Sequence, residues 1–254
     1  MRNDPSTGDP SWIELFTSDT EGSRRFYGEL FGWTATDPSE ELGGYAMFLR
    51  DGVPVAGCMD NDEGSMGPTG WSVYLHSEDL AATLARASEH GGTVVAGPMQ
   101  VGDAGHMGFL LDREGLGIGV WQPLSHPGFT TIAEDGAPSW FELLTPRYTS
   151  ATEFYRDVFG WDLHTVGDSE ELRYVTAGAG EAARAGIMDG SALEGHDMGW
   201  RVYVQVPDAD VCAARAGELG GTVAAAPQDT PYGRMTAIVD PAGAPITVLG
   251  PDRA

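Results

Sequence analysis

The chain repeats itself at a distance of half its length. Residues 10–33 have the sequence PSWIELFTSDTEGSRRFYGELFGW and residues 138–161 have PSWFELLTPRYTSATEFYRDVFGW, so 11 of 24 positions are identical without a gap. A period this long is the size of a domain, whereas solenoids repeat every 20 to 50 residues or so. The 254-residue chain is therefore predicted to form two homologous domains, each long enough to bury its own core.

The repeat continues through the rest of each half. GWSVYL at 70–75 returns as GWRVYV at 199–204, GGTVVAGP at 91–98 returns as GGTVAAAP at 220–227, and Asp112 with Gly115 returns as Asp240 with Gly243. Hydrophobic periodicity within each half predicts a strand, a helix and three strands, in that order, twice. The predicted units are 10–66, 70–122, 138–195 and 199–250. They are grouped into domains 1–124 and 138–254, joined by a Pro- and Gly-containing linker over 125–137.

The charge of the chain restricts its partners. The formal net charge is −24, and such a field repels nucleic acids and anionic membrane surfaces. No apolar run approaches the ~20 residues that cross a bilayer, and the N-terminal MRNDPSTGDP has no apolar stretch typical of a signal peptide. We therefore expect a cytoplasmic protein whose partner is a small molecule, with neither nucleic acid nor membrane involved.

Strand alternation places a carboxylate beside aromatic side chains in each half. Trp12, Glu14 and Phe16 are predicted to share one strand face, and Trp140 and Glu142 share the equivalent face. Arg201 is a candidate partner for Glu142, while Ser72 at the equivalent position cannot neutralise Glu14. A buried carboxyl without a cation has a raised pKa, which suits a general acid or base. The alternative is that both glutamates support the scaffold and that both tryptophans are ordinary core residues.

The closing segments of the first helices, FYGELFGW and FYRDVFGW, together with YGRM at 232–235 and DPAG at 240–243 and the strand order, resemble the vicinal-oxygen-chelate superfamily. DREG at 112–115 is a looser match. This superfamily includes glyoxalase I, extradiol dioxygenases and bleomycin-resistance proteins, and the chain is similar to its two-domain actinobacterial, glyoxalase-like members. The resemblance implies an α+β fold in which four βαβββ units pair into two tandem, cup-shaped, eight-stranded domains.

Metal-using members of that superfamily hold a divalent cation with residues from the cup strands. The resemblance places those ligand positions on Trp12, Ser72 and Gly119 in the first half and on Trp140, Arg201 and Thr247 in the second. None of these six is a ligand type that such cations prefer. We therefore predict no metal and no other cofactor; a non-standard site built on Glu14 and His76 is the alternative.

The inward-facing residues of the predicted cups form the candidate site. Glu14 is the predicted acid or base, with Tyr74 and His76 assisting it. The predicted substrate-binding residues are Trp12, Phe16, Ser72, His106, Phe109, Trp121, Trp140, Glu142, Arg201 and Tyr203. Aromatic walls with a few polar groups favour a planar, largely apolar ligand. For His76 and His106, the alternative is a solvated position at a strand end or in a surface loop.

The leading hypothesis is a metal-independent enzyme that acts on a small, aromatic natural product by acid/base chemistry. The reaction would be a cyclisation, isomerisation, dehydration or cofactor-free oxygenation. The first alternative is a non-catalytic protein that binds an antibiotic and confers resistance. The second is a metal-dependent lyase or dioxygenase with non-standard ligands. The sequence leaves open whether both cups are active and whether the chain is a monomer or a homodimer.

Overall fold

The computed structural model describes residues 5–61, 69–169, 172–193 and 197–252. The first half contains β1 (Pro10–Thr17), α1 (Thr20–Phe31), β2 (Thr34–Ala35), β3 (Ala46–Arg50), β4 (Val53–Asp60), β5 (Gly70–His76), α2 (Leu80–Glu89), β6 (Thr93–Val101), β7 (Gly105–Leu111) and β8 (Gly117–Pro123). The predicted unit boundaries at residues 66 and 195 lie outside the described residues, as do both ends of the chain.

The second half repeats this order of elements. It contains β9 (Pro138–Thr145), α3 (Tyr148–Phe159), β10 (Leu163–Asp168), β11 (Arg173–Ala177), β12 (Ala185–Asp189), β13 (Gly199–Gln205), α4 (Ala209–Glu218), β14 (Thr222–Thr230), β15 (Gly233–Val239) and β16 (Pro245–Gly250). The four predicted βαβββ units are therefore present, and the α+β fold of two tandem domains is confirmed.

Each half forms one mixed, eight-stranded sheet. The strand orders are β2-β3-β4-β1-β5-β8-β7-β6 and β10-β11-β12-β9-β13-β16-β15-β14. The two units of a half are joined at the centre, where β1 runs antiparallel to β5 and β9 runs antiparallel to β13. The first strands of all four units therefore lie in the middle of the sheets, next to the residues predicted to carry function.

The two faces of each sheet have different tasks. One face packs on the helices: Trp71 in β5 donates its indole N–H to the Tyr27 hydroxyl of α1 at 3.2 Å. Side chains alternate along a strand, so Tyr74 in β5 lies on the other face, where its hydroxyl contacts Glu14. We call this second face the cup. A domain thus keeps its apolar core and its candidate site on opposite sides of a single sheet.

The repeated FY…FGW segments dock the two domains onto each other. Trp33 donates to the carbonyl of Gly136 at 2.7 Å, and its repeat equivalent Trp161 donates to the carbonyl of Gly8 at 2.8 Å. Each indole therefore reaches the segment that precedes the first strand of the opposite domain. The arrangement has approximate two-fold symmetry.

The repeated Gly-Gly pairs serve the same interface. A Cβ atom on Gly92 would lie 3.0 Å from the Phe154 ring, and one on Gly221 would lie 2.9 Å from the Phe26 ring. Both contacts are tighter than side chains tolerate, so glycine is required for the close approach. The sequence similarity between the halves thus reflects a shared docking surface as well as a shared fold.

The segment predicted to be a linker packs against the first domain. Phe129 is fully buried, and its ring centroid lies 5.5 Å from those of Trp12 and Phe141. His126 packs edge-on against Trp12 with the centroids 4.5 Å apart.

Among the described helices, none combines the length and the apolar character that a membrane span requires.

Candidate functional site

Four side chains lie together in the first cup. The Trp12 indole N–H donates to the Tyr45 hydroxyl at 3.0 Å, and the Tyr45 hydroxyl lies close enough to the Glu14 carboxyl to lower its pKa slightly. The Tyr74 hydroxyl donates to Glu14 Oε2 at 2.5 Å. We call Trp12, Tyr45, Glu14 and Tyr74 the first tetrad. It places a carboxyl group between two phenols.

The register of four strands assembles the first tetrad. Trp12 lies opposite Tyr74 across the β1–β5 ladder, and Glu14 lies opposite Gly57 across the β1–β4 ladder. A Cβ atom on Gly57 would clash with the Tyr45 hydroxyl. A glycine is needed here because the phenol occupies the space next to the carboxyl.

The same requirement appears on the other side of the first tetrad. Gly119 in β8 pairs with Tyr74 in β5, and a Cβ atom there would clash with the Tyr74 ring. The family-derived metal position at Gly119 is thus occupied by the body of a tyrosine. Glycine is required at position 119 because the Tyr74 ring fills the space that a side chain would occupy.

Burial controls the acidity of Glu14. Desolvation raises the pKa of this carboxyl to about 7, against the smaller lowering effects of the hydrogen bonds from Tyr74 and Tyr45. Desolvation and the nearby Glu14 charge raise the pKa values of both phenols well above the ordinary range. Glu14 can therefore gain or lose a proton near neutral pH, while both tyrosines stay protonated and act as donors.

The second cup contains an equivalent group. The Trp140 indole N–H donates to the Tyr174 hydroxyl at 2.9 Å, the Tyr174 hydroxyl lies near Glu142 and acts to lower its pKa, and the Tyr203 hydroxyl donates to Glu142 Oε1 at 3.0 Å. We call Trp140, Tyr174, Glu142 and Tyr203 the second tetrad. Gly186, opposite Glu142, leaves room for the Tyr174 hydroxyl.

The two tetrads differ in the charge of the residue that lies opposite the glutamate. Arg201 lies opposite Glu142 in the β9–β13 ladder, whereas Ser72 occupies that position opposite Glu14. The positive charge of Arg201 favours the ionised form of Glu142. Burial raises the pKa of Glu142, while Tyr203 and Arg201 act in the lowering direction.

Most other predicted site residues of the first domain lie on the cup face. Phe109 packs against Tyr74 with the ring centroids 6.3 Å apart. Trp121 is the register partner of His76 across β5 and β8, and His76 is only 8% exposed. The predicted solvated strand-end position for His76 is therefore not what the structure shows. Phe16 is buried two residues beyond Glu14 on the same face of β1.

His106 lies outside the cup. It alternates with Met107, which faces Trp121, and it pairs with Gln122, whose side-chain oxygen accepts from the Leu80 N–H at the start of α2. His106 is therefore on the helix face, away from the cup in which the sequence analysis placed it. Its repeat equivalent Arg234 bonds to Asp210 in α4, also on the helix face.

Sequence reasoning missed both Tyr45 and Tyr174. Tyr45 immediately precedes β3 and Tyr174 lies in β11, and each reaches across a neighbouring strand towards its glutamate. A signal was present: the repeated Ala-Gly-x-Met-Asp at 56–60 and 185–189 places Gly57 and Gly186 opposite Glu14 and Glu142. A glycine repeated at a central strand position indicates that another group must occupy its space.

His126 is a further residue that was assigned no role. Its ring contacts Trp12, and the Trp121 indole N–H donates to its carbonyl at 2.9 Å. Its Nε2 atom is buried without a hydrogen-bond partner in the part of the chain that the structure describes. Burial lowers the pKa of this imidazole. The linker therefore contributes an aromatic wall to one end of the first cup.

The two cups differ in the polarity of their walls. By strand register the first cup presents methionines opposite Gly57, Phe16 and Trp121, with one more on the edge strand; these are Met47, Met59, Met107 and Met99. Their repeat equivalents in the second cup are Thr176, Met188, Met235 and Gln228. Methionine is flexible and polarisable, so the first cup can adapt to an apolar ligand better than the second.

The sequence pattern of the Glyoxalase/Bleomycin resistance protein/Dioxygenase superfamily matches residues 10–120 and 137–248. The chain belongs to this superfamily. Each match covers one half of the chain, so the family pattern occurs twice in tandem. The resemblance inferred from the sequence is confirmed.

Several curated relatives align over almost their whole length. The putative glyoxylase CFP32 of Mycobacterium bovis is 35% identical over 255 residues, covering 98% of this chain and 97% of the relative. The anthracycline biosynthesis proteins DauV of Streptomyces sp. strain C5 and DnrV of Streptomyces peucetius are 33% and 32% identical, each covering 95% of this chain and 93% of the relative.

Solved structures share the fold at low sequence identity. The Mn(II)-bound glyoxalase from Novosphingobium aromaticivorans superposes with a TM-score of 0.67 at 16% identity, covering 95% of this chain and 82% of that one. The 2,3-dioxygenase LapB from Pseudomonas sp. KL28 gives 0.65 at 15% identity, covering 99% and 94%. These similarities concern the architecture alone.

The cup residues do not fit a divalent metal site. Among the described residues, no three His, Cys, Asp or Glu side chains come together in a group that could hold a metal ion. Each tetrad offers one carboxylate, and its other members are an indole and two phenols that stay protonated. A borderline or hard cation requires several carboxylate, carbonyl or imidazole ligands. Within the described parts of the chain, no third ligand of this kind joins Glu14 and His76 to complete the alternative metal site.

Proposed function

We propose that this chain acts on a small, planar aromatic natural product, by metal-independent proton transfer in the first cup. The observation that carries the proposal is the first tetrad: a buried carboxyl with a pKa of about 7 and no cation opposite it. A general acid or base works best when its pKa lies near the working pH. Glu14 meets that condition without help from a metal.

The substrate class follows from the cup walls and from the relatives. The first cup combines Trp12, Phe109 and Trp121 with methionine side chains, which suits a flat, apolar ring system. DauV and DnrV are anthracycline biosynthesis proteins at about one-third identity over nearly the whole chain. We therefore propose an anthracycline-type polycyclic aromatic polyketide as the ligand.

In the proposed reaction Glu14 removes a proton from an acidic carbon or phenol of the substrate and returns it at another position. Tyr74 donates a hydrogen bond to the carboxylate that forms the base, and His76 lies two residues further along the same strand face. The charge that develops on the substrate is an enolate or phenolate. Removal of the proton is common to all the proposed reactions. Glu14 then returns it to another substrate atom in a cyclisation or isomerisation, to the leaving hydroxyl as water in a dehydration, or to the reduced oxygen when O₂ oxidises an activated phenol.

The second cup has a different role in this proposal. Arg201 lies opposite Glu142 and its charge favours the ionised carboxylate, so the second carboxylate has a cation as its partner. Buried pairs of this kind are structural more often than catalytic. We assign the second tetrad to the scaffold and the first to chemistry.

One observation favours a non-catalytic alternative. The same four residue types occur in both cups, including the second cup, where Arg201 lies opposite the glutamate. A group with a purely structural role would be repeated in the same way. In that case the first cup would bind an aromatic antibiotic without converting it. The proposal therefore needs an experiment that separates binding from turnover.

The deciding comparison uses Glu14→Gln with Glu142→Gln as its matched control. Both changes keep the size of the side chain and remove its acid/base function. Purified protein is incubated with anthracycline biosynthetic intermediates, conversion is followed by mass spectrometry, and binding is followed by quenching of tryptophan fluorescence. We expect Glu14→Gln to bind but not convert, and Glu142→Gln to do both. Binding by wild type with no conversion of any intermediate would leave the sequestering role instead.

A further inference from the structure

The linker is anchored on both sides of one end of the first cup. The His126 backbone N–H donates to the carbonyl of Ala104, in the turn after β6, at 3.0 Å, and its own carbonyl accepts from the Trp121 indole at 2.9 Å. Three residues further on, the Phe129 N–H donates to the carbonyl of Ser11 in β1 at 2.7 Å. His126 is therefore held between two bonded points of the sheet.

This anchor is specific to the first domain. Trp121 in β8 corresponds to Leu249 in β16, and a leucine side chain has no donor for a passing carbonyl. Trp121 lies on the cup face, opposite Met107 in the ladder between β7 and β8. Its ring centroid is 5.8 Å from that of His126. The linker histidine is thus fixed beside the cup by a residue that the second cup does not have.

The imidazole of His126 carries a polar atom that is not used within the described part of the chain. The side chain is half-buried and packs edge-on against Trp12 with the centroids 4.5 Å apart. Its Nε2 atom is shielded from solvent and has no hydrogen-bond partner among the described residues. An unsatisfied buried polar atom costs about 1–3 kcal/mol, and proteins satisfy nearly all such atoms. A ligand in the cup would supply the partner.

We propose that His126 Nε2 binds an oxygen substituent at the edge of the aromatic substrate, and that this contact selects oxygenated ring systems over plain hydrocarbons. The inference rests on the proposed function for the ligand class, and it adds the residue that recognises the oxygen. A neutral imidazole nitrogen accepts from a phenol hydroxyl or donates to a quinone carbonyl, according to its tautomer. Burial lowers the pKa of this ring, which favours the neutral form.

The position of His126 complements that of Glu14. Trp12 lies between the two groups, because His126 packs on its ring and Glu14 follows two residues later on the same face of β1. A polycyclic ligand held at its oxygenated edge by His126 would present a neighbouring ring to the carboxyl. Holding the reacting group in one orientation is a major part of catalysis. His126 would therefore determine which ring position meets the base.

A different use of Nε2 would be a contact with the indole ring itself. The His126 and Trp12 rings are nearly perpendicular, at 88°, and an N–H group that points at an aromatic face gains a weak stabilisation. In that case His126 would be part of the wall alone, and oxygen substituents on the ligand would not affect its contribution. A pair of ligands that differ in oxygen content separates the two uses.

The test uses hydroxyanthraquinone and anthracene, two flat three-ring probes of which only the first carries oxygen. Their affinities are measured by quenching of tryptophan fluorescence. We expect His126→Phe to weaken hydroxyanthraquinone binding about tenfold and anthracene binding less than about twofold, because phenylalanine keeps the aromatic wall. His126→Gln, whose amide can take the place of Nε2, should restore most of the loss. The control His164→Phe, in the second domain, should leave both affinities unchanged.

Equal affinity of wild type and His126→Phe for hydroxyanthraquinone, or equal losses for the two probes, overturns the inference. If His126→Phe does not fold by circular dichroism, nitrogen NMR of the wild-type protein decides. The Nε2 signal of His126, assigned by its absence in His126→Gln, should move with hydroxyanthraquinone and stay in place with anthracene. A signal that stays in place with both probes also overturns the inference.

The outcome for the proposed function is separate. If wild type binds hydroxyanthraquinone through His126 but converts no biosynthetic intermediate, the catalytic proposal is overturned and the inference about His126 stands. If wild type converts an intermediate while His126→Phe binds hydroxyanthraquinone as wild type does, the reverse holds. Binding of neither probe to wild type would overturn the aromatic ligand class, and the inference with it.

Discussion

Ser72 stands directly across the β1–β5 ladder from Glu14. The second domain has Arg201 at that position, across from Glu142. This single difference decides whether a buried carboxyl of the tetrad has a cation as its neighbour. It leads to the first prediction, on the acidity of the two glutamates.

Exchanging these two residues should exchange the behaviour of the carboxyls. In Ser72→Arg we expect the pKa of Glu14 to fall, because an opposite charge within a few ångströms favours the ionised form by about one unit or more. Arg201→Ser should raise the pKa of Glu142. Infrared titration of the two variants measures both shifts. No change in either carboxyl would mean that the residue across the ladder does not control its acidity.

The raised pKa of Glu14 makes the stability of the fold depend on pH. Its folded pKa of about 7 lies above the ordinary 4.5, so between these values the folded state binds more protons than the unfolded state. The contribution to stability is therefore largest below about pH 4.5 and is lost as pH rises through 7, by about 3 kcal/mol in all. Urea unfolding of wild type and Glu14→Gln from pH 5 to 8.5 measures it.

The expected result is a free energy of unfolding that declines less steeply with pH in Glu14→Gln than in wild type. Glu142 contributes in the same direction, since burial raises its pKa as well, so Glu142→Gln serves as the comparison. If wild type and Glu14→Gln show parallel pH profiles, Glu14 is ionised in the folded protein throughout this range.

The two equivalent aspartates at the interface between the domains differ in their hydrogen bonding. Ser23 donates to Asp240 Oδ2 at 3.3 Å, but Ala151 occupies the position equivalent to Ser23. Asp112 Oδ2 is correspondingly buried without a hydrogen-bond partner among the described residues. We expect Ala151→Ser to raise the free energy of unfolding by about 1 kcal/mol, and Ser23→Ala to lower it by about the same amount. Thermal unfolding measures both, and a stability loss in Ala151→Ser would show that the repeat equivalence fails here.

Metal dependence can be decided by analysis of the purified protein. The donor set of the cups leads us to expect less than about one-tenth of an equivalent of any divalent ion after purification without a metal-affinity column. Dialysis against a chelator should then leave both the melting temperature and any turnover unchanged. Near-stoichiometric iron, manganese, zinc or nickel would contradict this expectation, because the described side chains do not form a site for such an ion.

Gly57→Ala tests the packing that brings the first tetrad together. A methyl group there would displace the Tyr45 hydroxyl, so we expect a stability loss of about 1–3 kcal/mol from overpacking. Because the Tyr45 hydroxyl acts to lower the Glu14 pKa, displacing it should also raise that pKa. Gly44→Ala is a useful comparison, because nothing lies within 4 Å of the added atom; its positive φ of 87° adds backbone strain alone. Equal effects on Glu14 in both variants would contradict the packing argument.

The sequence was sufficient for the fold because the duplication, the strand alternation and the helix-ending glycines agree with one another. It also identified the carboxyl, the indole and one phenol of each tetrad, since these lie on first strands with a clear alternation. Tyr45 and Tyr174 were missed because their contacts depend on the register between β3 and β4 and between β11 and β12, which no local pattern specifies. His106 lies on the helix face because it alternates with Met107 along β7, which the type of residue alone does not indicate.

The linker was underestimated for a related reason. Its Pro and Gly content correctly indicated irregular backbone, but periodicity says nothing about what an irregular segment covers. Phe129 is fully buried against Trp12, and His126 closes one end of the first cup. Contacts between segments that are distant in sequence become visible only when the domains are assembled.

The reciprocal docking of Phe26 on Gly221 and of Phe154 on Gly92 has a consequence for how such a protein changes over generations. In an assembly of two identical chains, a codon change at one active centre alters its twin as well. Here the two halves are encoded separately while the docking surface is shared, so a serine can persist beside one glutamate and an arginine beside the other. Covalent fusion lets one half specialise while the other remains its partner.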